Sequence, residues 1–317
     1  MIASHYKLII VTPVYEDVEA STRLFEELYV QFGKEAYVVV VDDGSIKQPV
    51  KVESLNQAGV NGVVLKLRCN VGHQRAIAVG LGYVSEIMQP DQLVIVMDSD
   101  GEDLPDTITA LITQLGADSV DVVVAERKSR VETFRFKLFY TIYKRFFNLM
   151  TGRSISFGNF MALKFVAVKR LVAMPELMIH VAGAVIASKL RAGICPLDRG
   201  SRYAGQSKMN FVGLVLHGFK GLMVFAEDVL VRVGIACAGI ASCSILGAVA
   251  AILLKLIGFS TPGWFSIALG ILVLMFLQTG ALALMTLMLT GVVRGGSVTT
   301  AAVYREYIDE IIESNNV

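Results

Sequence analysis

The sequence predicts an α/β protein: a mostly parallel sheet covered by helices on both faces, followed by a C-terminal hairpin of two transmembrane helices. Three observations predict it. Short Val/Ile/Leu-rich runs alternate with helical patterns through the first 126 residues, as in a parallel sheet buried on both faces. From Val233 to Val293, 61 positions hold a single charged residue, Lys255. Charge is also zoned: residues 1–126 carry 8 basic and 19 acidic side chains, residues 127–232 carry 18 and 5, and the remainder 3 and 4. With 54% hydrophobic and 18% charged residues among 317, the chain is not a disordered segment, a disulfide-stapled module or a uniformly basic nucleic-acid binder.

The predicted strands are Leu8–Val14, Ala36–Val41, Gly62–Leu67, Gln92–Met97 and Asp121–Ala125, separated by helices over Asp17–Phe32, Val50–Gln57, His73–Met88 and Pro105–Leu115. After them, Phe134–Met150 interleaves aromatic and basic residues, the composition of an amphipathic helix in a membrane interface. Packing on the sheet is the alternative for that helix. The run Val233–Leu254 is 22 residues without a charge, enough for one bilayer crossing. Pro262-Gly263 then marks a turn, and Trp264 opens a second crossing that stops at Arg294. The division is a domain over 1–228 with interfacial helices at 131–150 and 209–228, crossings at 232–256 and 264–293 within 229–294, and a helical tail over 295–317. Arg232, Lys220 and Lys208 before the first crossing, and Arg294 and Arg305 after the second, place both termini in the cytoplasm by the positive-inside rule. Pro13 ends the first apolar run early, so no signal peptide is expected. Cys69, Cys195, Cys237 and Cys243 show no metal spacing.

In open α/β sheets, ligands bind beyond the carboxyl ends of the strands. Here those ends read Pro13-Val-Tyr15-Glu16-Asp17, Asp42-Asp43-Gly44-Ser45, Asn70-Val-Gly72-His73-Gln74 and Asp98-Ser-Asp100-Gly-Glu102-Asp103. Clustered carboxylates repel and shift one another's pKa unless a cation neutralises them. Hard oxygen donors without His or Cys point to Mg²⁺ or Mn²⁺ shared with phosphates. Asp103 and Asp106 are also placed to cap the following helix, and His73 to open its own. In the basic zone, Asp198-Arg199-Gly-Ser-Arg202-Tyr-Ala-Gly205-Gln-Ser207-Lys208 is a glycine-rich, cationic loop suited to a phosphate, or a plain surface loop.

In motif order, Pro-Val-Tyr-Glu-Asp, Val-Val-Asp42-Asp43-Gly-Ser, Asn70-Val-Gly-His-Gln and Met-Asp98-Ser-Asp100-Gly-Glu-Asp-Leu-Pro resemble the family 2 glycosyltransferases with the GT-A fold. The branch they are most similar to is that of the polyprenyl-phosphate sugar transferases, such as dolichyl-phosphate mannose synthase and bacterial undecaprenyl-phosphate glucosyltransferases. The resemblance implies that Pro13, Tyr15, Asp17, Asp42, Asp43 and Asp98 form the nucleotide site and that Asp98, Asp100 and Glu102 surround the metal. It also implies Arg202, Ser207 and Lys208, helped by Arg127, as ligands of the acceptor phosphate. The chain departs from the family in two places: Glu16-Asp17 stands for Asn-Glu, and Glu102 for Gln. Asn159 occupies a place where several relatives have Asp, which removes a candidate base; Asp103 and Asp198 are the alternatives. A phosphomonoester, with a second pKa of roughly 6, is already largely anionic at pH 7 and attacks without one.

The expectation is therefore an inverting transfer of a sugar from a UDP- or GDP-linked donor to polyprenyl phosphate at the cytoplasmic membrane face, with Mg²⁺ or Mn²⁺ as cofactor and no nucleic-acid partner. Transfer to a hydroxyl acceptor is the second reading; Trp264 is the only Trp, and the Gln-x-x-Arg-Trp motif of processive relatives is absent. A non-catalytic GT-A scaffold is the third. Gly234, Ala238, Ala241, Gly247, Gly270 and Gly280 would permit close helix contacts and hence a homo-oligomer.

Overall fold

The computed structural model describes residues 5–127, 134–203, 211–259, 263–295 and 303–314, and the side chains within them except at 127, 134–140, 211 and 290–295. The chain divides into a sheet unit (residues 1–144, 154–224 and 299–317) and a helical unit (145–153 and 225–298).

In the sheet unit the strands are β1 (Leu8–Val14), β2 (Ala36–Asp42), β3 (Asn61–Leu67), β4 (Leu93–Val96), β5 (Val122–Arg127), β6 (Met161–Lys164), β7 (Ala192–Leu197) and β8 (Ile308–Glu313). The helices between them are α1 (Val18–Phe32), α2 (Val52–Ala58), α3 (His73–Ile87), α4 (Ile108–Leu115), α5 (Phe134–Thr151), α6 (Phe165–Val172), α7 (Val181–Ala187) and α8 (Phe211–Met223). The five predicted strands and four predicted helices before residue 127 are all present, each within a few residues of its expected bounds. Every residue of β1 and β2 is buried. Alternate side chains of these strands enter two separate apolar clusters, one led by Ile9, Val11, Val39 and Ile77, the other by Ile10, Phe25, Val38 and Leu111. Each fully buried aliphatic side chain contributes about 1.5–3 kcal/mol, which is why uninterrupted apolar runs form strands here.

The sheet order is β7-β5-β6-β4-β1-β2-β3-β8. β1, β2, β3 and β4 run parallel, β6 runs antiparallel between β4 and β5, and β8 runs antiparallel on β3. The chain progresses outward from β1 through β2 to β3, then returns to the other side of β1 as β4. The carboxyl ends of β1 and β4 therefore flank the reversal in strand order where such sheets take ligands. Pro13 sits one residue from the end of β1, a position where its missing N–H removes little from the ladder.

The tail corrects an expectation. Predicted to be helical, it forms a 3₁₀ turn at Val303–Tyr307 and then β8. The register slips between Lys66 and Leu67, so that Leu67 pairs with Ile308 while Lys66 pairs with Glu310. A slip of this kind breaks the period of two, and Ile308, Ile311 and Ile312 then mimic helical spacing.

The helical unit holds α9 (Ala226–Leu256) and α10 (Trp264–Gly295). Both are long and apolar enough to cross a membrane, as a transmembrane hairpin requires. Gly234 lies against the Thr286 side chain and Gly247 against Leu272, so two of the predicted small residues do bring α9 and α10 together. α9 starts earlier than expected: the predicted interfacial helix over 209–228 breaks between Met223 and Ala226. Arg153 stacks on Phe225 and pairs with Asp228, and Arg232 donates to the Leu149 carbonyl, which tie the start of α9 to the end of α5.

Candidate active site

Beyond β2, the Asp42 carboxylate is fully buried; one oxygen accepts the Ser45 N–H and the other the Val50 N–H, both at 2.9 Å. Asp43 accepts N–H groups from Val71 (2.7 Å) and Gly72 (3.0 Å), lashing the end of β2 to the turn before α3. Burial lifts the Asp43 carboxyl above its ordinary range in spite of those two bonds. Gly44 has φ +69, and a Cβ there would lie 2.5 Å from the Cys69 carbonyl carbon, so only glycine permits this crossing. Both aspartates thus shape the floor of the site through backbone amides.

After β1, Tyr15 stands exposed at the mouth. Glu16 adopts φ +48, a left-handed conformation that suits Asn better than Glu. Its carboxylate compensates by accepting three consecutive N–H groups, from Ile46, Lys47 and Gln48, and its own N–H donates to Ser45. Those amides hold the Glu16 carboxyl below its usual pKa. A depressed folded-state value means that the clamp's contribution is complete above the ordinary carboxylate pKa and disappears as pH falls through the folded one. As pH falls below the ordinary carboxylate range, the amides of 46–48 are therefore expected to lose protection, measured against the intrinsic exchange rate at each pH, while Glu16→Gln already lacks that protection at pH 7; a protection factor that does not change with pH in the wild type would refute the clamp.

The loop after β4 is the most charged part of the site. Asp98 receives its shape from Asp103, whose carboxylate accepts the Asp98 N–H at 2.9 Å. Asp103 is buried in this role and caps no helix; the N-cap position of α4 is Thr107, which makes no side-chain cap, so Asp106 does not cap it either. Ser99 donates to the Pro13 carbonyl and joins the ends of β4 and β1. Asp100 accepts the Glu102 N–H through Oδ1 and meets the Arg202 guanidinium at 2.8 Å through Oδ2. Glu102 meets Arg202 Nε at 3.0 Å and pairs with Arg199. Burial, with Asp98 next, raises the Asp100 pKa, and Arg202, Arg199 and His73 oppose the rise.

Beside this loop runs a chain of amides. The Val181 N–H, which can only donate, fixes Gln74 Oε1 as its acceptor at 2.7 Å; Gln74 Nε2 then donates to Asn159 Oδ1 at 3.1 Å. Asn159 therefore turns its Nδ2 to His73 Nε2 at 3.0 Å, and the same ring nitrogen lies 3.1 Å from Asp98 Oδ1. Desolvation works against a charged His73, but the Asp98 carboxylate prevails and raises its pKa. A second pair, His180 and His217, stacks with Nε2 atoms 3.2 Å apart. His180 accepts the Gly183 N–H through Nδ1, and burial together with His217 lowers its pKa to about 3.

The sequence-predicted residues thus separate into two groups. Pro13, Tyr15, Asp42, Asp43, Asp98, Asp100, Glu102, Asp103, Asn159 and Arg202 cluster around the ends of β1, β2 and β4, and Asp17 follows β1 at the N-cap position of α1 without a side-chain cap hydrogen bond. Ser207, Lys208 and the side chain of Arg127 lie outside the described residues. Sequence reading missed Glu16 as a clamp, Gln74 as the residue that orients Asn159, and the contact of Arg199 with Glu102; the alternating His73-Gln74 and Arg199/Arg202 positions were the only signals available. The carboxylates have the hard oxygen chemistry of a Mg²⁺ or Mn²⁺ site, but as arranged they do not fit one. Two of the three face guanidinium groups, and among the described residues no three His, Cys, Asp or Glu side chains are grouped to hold a metal ion.

Residues 9–171 match the model of Glycosyl transferase family 2. The chain is 25% identical over 245 residues to the uncharacterized glycosyltransferase YkoT of Bacillus subtilis (strain 168), covering 75% of this chain and 70% of that one. It is 26% identical over 279 residues to the uncharacterized glycosyltransferase sll0501 of Synechocystis sp. (strain ATCC 27184 / PCC 6803 / Kazusa), covering 84% and 85%. Among solved structures, it is similar to glucosyl-3-phosphoglycerate synthase from Mycobacterium tuberculosis in complex with Mn²⁺, UDP-glucose and phosphoglyceric acid, with TM-score 0.49, 15% identity, and 72% and 79% of the two chains covered.

Proposed function

Because the chain belongs to glycosyl transferase family 2 and has a GT-A type mixed sheet followed by two long apolar helices, we propose that it moves a sugar from a UDP- or GDP-linked donor to a polyprenyl phosphate, with inversion. Pro13, Tyr15 and Asp17 at the mouth receive the nucleotide, on a floor that Asp42 and Asp43 hold in shape. Negative charge develops on the departing diphosphate, and cationic groups aimed at it stabilise the transition state. Arg199 and Arg202 are the described cationic side chains at the end of β4. The acceptor phosphate attacks the anomeric carbon as an anion, which removes the need for a carboxylate at position 159. Asn159, locked by Gln74, serves as a fixed amide in the wall of the site.

The observation that carries a lipid acceptor is the outer face of α8. Val212, Leu216, Phe219 and Met223 stand exposed at helical spacing, in the same unit as the acidic loop. Tyr143 of α5 donates to the Gly218 carbonyl and packs on that glycine, so α8 is buttressed from within while its apolar ridge faces outward. Such a ridge enters the headgroup boundary of a bilayer, and the 18 basic residues against 5 acidic ones over 127–232 favour an anionic surface. The chain leaves the sheet unit before α9 and returns to it as β8, which suits two crossings that come back to the starting side. By the positive-inside rule that side is the cytoplasm.

The test uses the full chain in vesicles with UDP- and GDP-sugars. Nucleoside diphosphate is expected to appear only when polyprenyl phosphate is added. Release that depends instead on a sugar or glycerate hydroxyl acceptor would replace the lipid reading, and no release with any pair would support the scaffold.

A further inference from the structure

α8 carries polar chemistry on the side turned away from its apolar ridge. His217 and Lys220 lie three residues apart, and so on neighbouring turns of one side of the helix. Facing His217 is the first turn of α7, where His180 takes the N-cap position and is only 5% exposed. Gly183 in that turn approaches the residue after α8: a Cβ there would meet the Val224 side chain at 3.0 Å. The two imidazoles stack between these elements, with ring centroids 4.5 Å apart.

One fixed donor sets the direction of every hydrogen bond in the pair. The Gly183 N–H can only donate, so His180 Nδ1 accepts it at 3.0 Å. Burial keeps His180 neutral, and a neutral ring with an accepting Nδ1 carries its proton on Nε2. That Nε2–H donates to His217 Nε2, 3.2 Å away. Burial, with the charges of His73 and Lys220, lowers the His217 pKa as well, so the single His217 proton sits on Nδ1. Among the described residues nothing accepts that Nδ1–H, and the exposed Lys220 ammonium has no ion pair.

Two donors, one of them cationic, are thus left without an acceptor on one side of α8. His73 and Asp98 are near enough for their charges to act on His217, which brings the pair within electrostatic reach of the loop after β4. The opposite side of the helix carries Val212, Leu216, Phe219 and Met223, the ridge that enters the headgroup boundary. A phosphomonoester suits this place. Its oxygens accept from a neutral N–H and an ammonium at once, and the cation offsets part of the repulsion from Asp98.

We propose that His217 Nδ1–H and Lys220 Nζ bind the phosphate of the acceptor, and that His180 is the positioning residue that fixes the His217 tautomer. The lipid nature of that phosphomonoester rests on the polyprenyl-phosphate reading; the donor pair does not. Neither residue belongs to the cationic loop over 198–208, so the acceptor is held from a second element.

NMR of labelled imidazole nitrogens in the full chain, embedded in nanodiscs, tests it; the chain has four histidines. Free His217 is expected to be protonated at Nδ1 and bare at Nε2. Polyprenyl phosphate should shift the Nδ1 signal, and polyprenol, which lacks the phosphate, should not. If inorganic phosphate shifts it and polyprenyl phosphate does not, the anion pair stands and the lipid reading falls. No shift with either phosphate, or an equal shift with polyprenol, would overturn the proposal. His180→Phe should mix the two His217 tautomers, and a spectrum still showing only Nδ1–H would remove His180 from its role. Binding of radiolabelled polyprenyl phosphate gives a second readout. His217→Phe should weaken it about tenfold, and His217→Gln, which can accept from His180 and donate to phosphate, should restore most of the loss. Equal binding by the two variants would count against His217 as a ligand.

Discussion

Asp100→Ala is expected to lower sugar transfer by about 10²- to 10³-fold while leaving the chain folded and in the membrane. Asp100 is the one side chain that touches both halves of the loop system: Oδ1 takes the Glu102 N–H and Oδ2 the Arg202 guanidinium. Its burial already disfavours its charge, so removing the carboxylate relieves a desolvation cost and the fold loses little. On the proposed reading, activity depends on that same charge, because it holds the Arg202 guanidinium at the end of β4. Asp100→Asn separates shape from charge: it retains an oxygen for the Glu102 N–H and should lose activity to a similar extent. Turnover is to be measured alongside the thermal midpoint. Near-wild-type turnover in either variant would remove Asp100 from the site.

Tyr304→Ala carries the largest expected cost to stability, about 3–5 kcal/mol. Tyr304 is only 3% exposed and belongs to the core cluster of the sheet. Its ring lies where a Cβ on Gly82 would be, 2.6 Å from that position, so the missing side chain at 82 is the socket that receives it. Emptying the socket leaves a cavity beside α3 and unseats β8, which is followed by Ser314, a residue that exchanges hydrogen bonds with Gly62 in β3. Denaturant unfolding should show the loss, and β8 amides should exchange early. Arg305→Ala is the control: its pair with Glu86 is largely exposed, and exposed pairs contribute little. If the tyrosine variant unfolds like the wild type, the tail is an accessory and does not close the sheet.

The strands that were legible from the sequence share one property: they are buried on both faces. β1, β2 and β3 bury nearly every residue, so their apolar runs are continuous and cannot be mistaken for exposed helix. β7 alternates exposed and half-buried residues at the edge of the sheet and contains Pro196, and β6 is four residues long; neither has a pattern of its own. β8 was misread because its pairing partner is some 250 residues earlier in the chain and its register slips. At the site, the carboxylate motifs were visible because acidic residues at strand ends have no packing role. The arginines that meet them were visible only as a cationic loop, since no spacing in the chain states that residue 199 lies against residue 102.

The amino-acid order alone determined the alternation of strand and helix, the two long apolar helices, and the gathering of Asp42, Asp98 and Asp100 at one rim of the sheet, because burial and backbone hydrogen bonding act over a few neighbouring residues. Only the tertiary structure decided how those carboxylates are used. Asp42, Asp43 and Asp103 spend their charge on backbone amides, and Asp100 and Glu102 meet arginines from about 100 residues away. Electrostatic partners are chosen by distance in space, which chain connectivity does not encode.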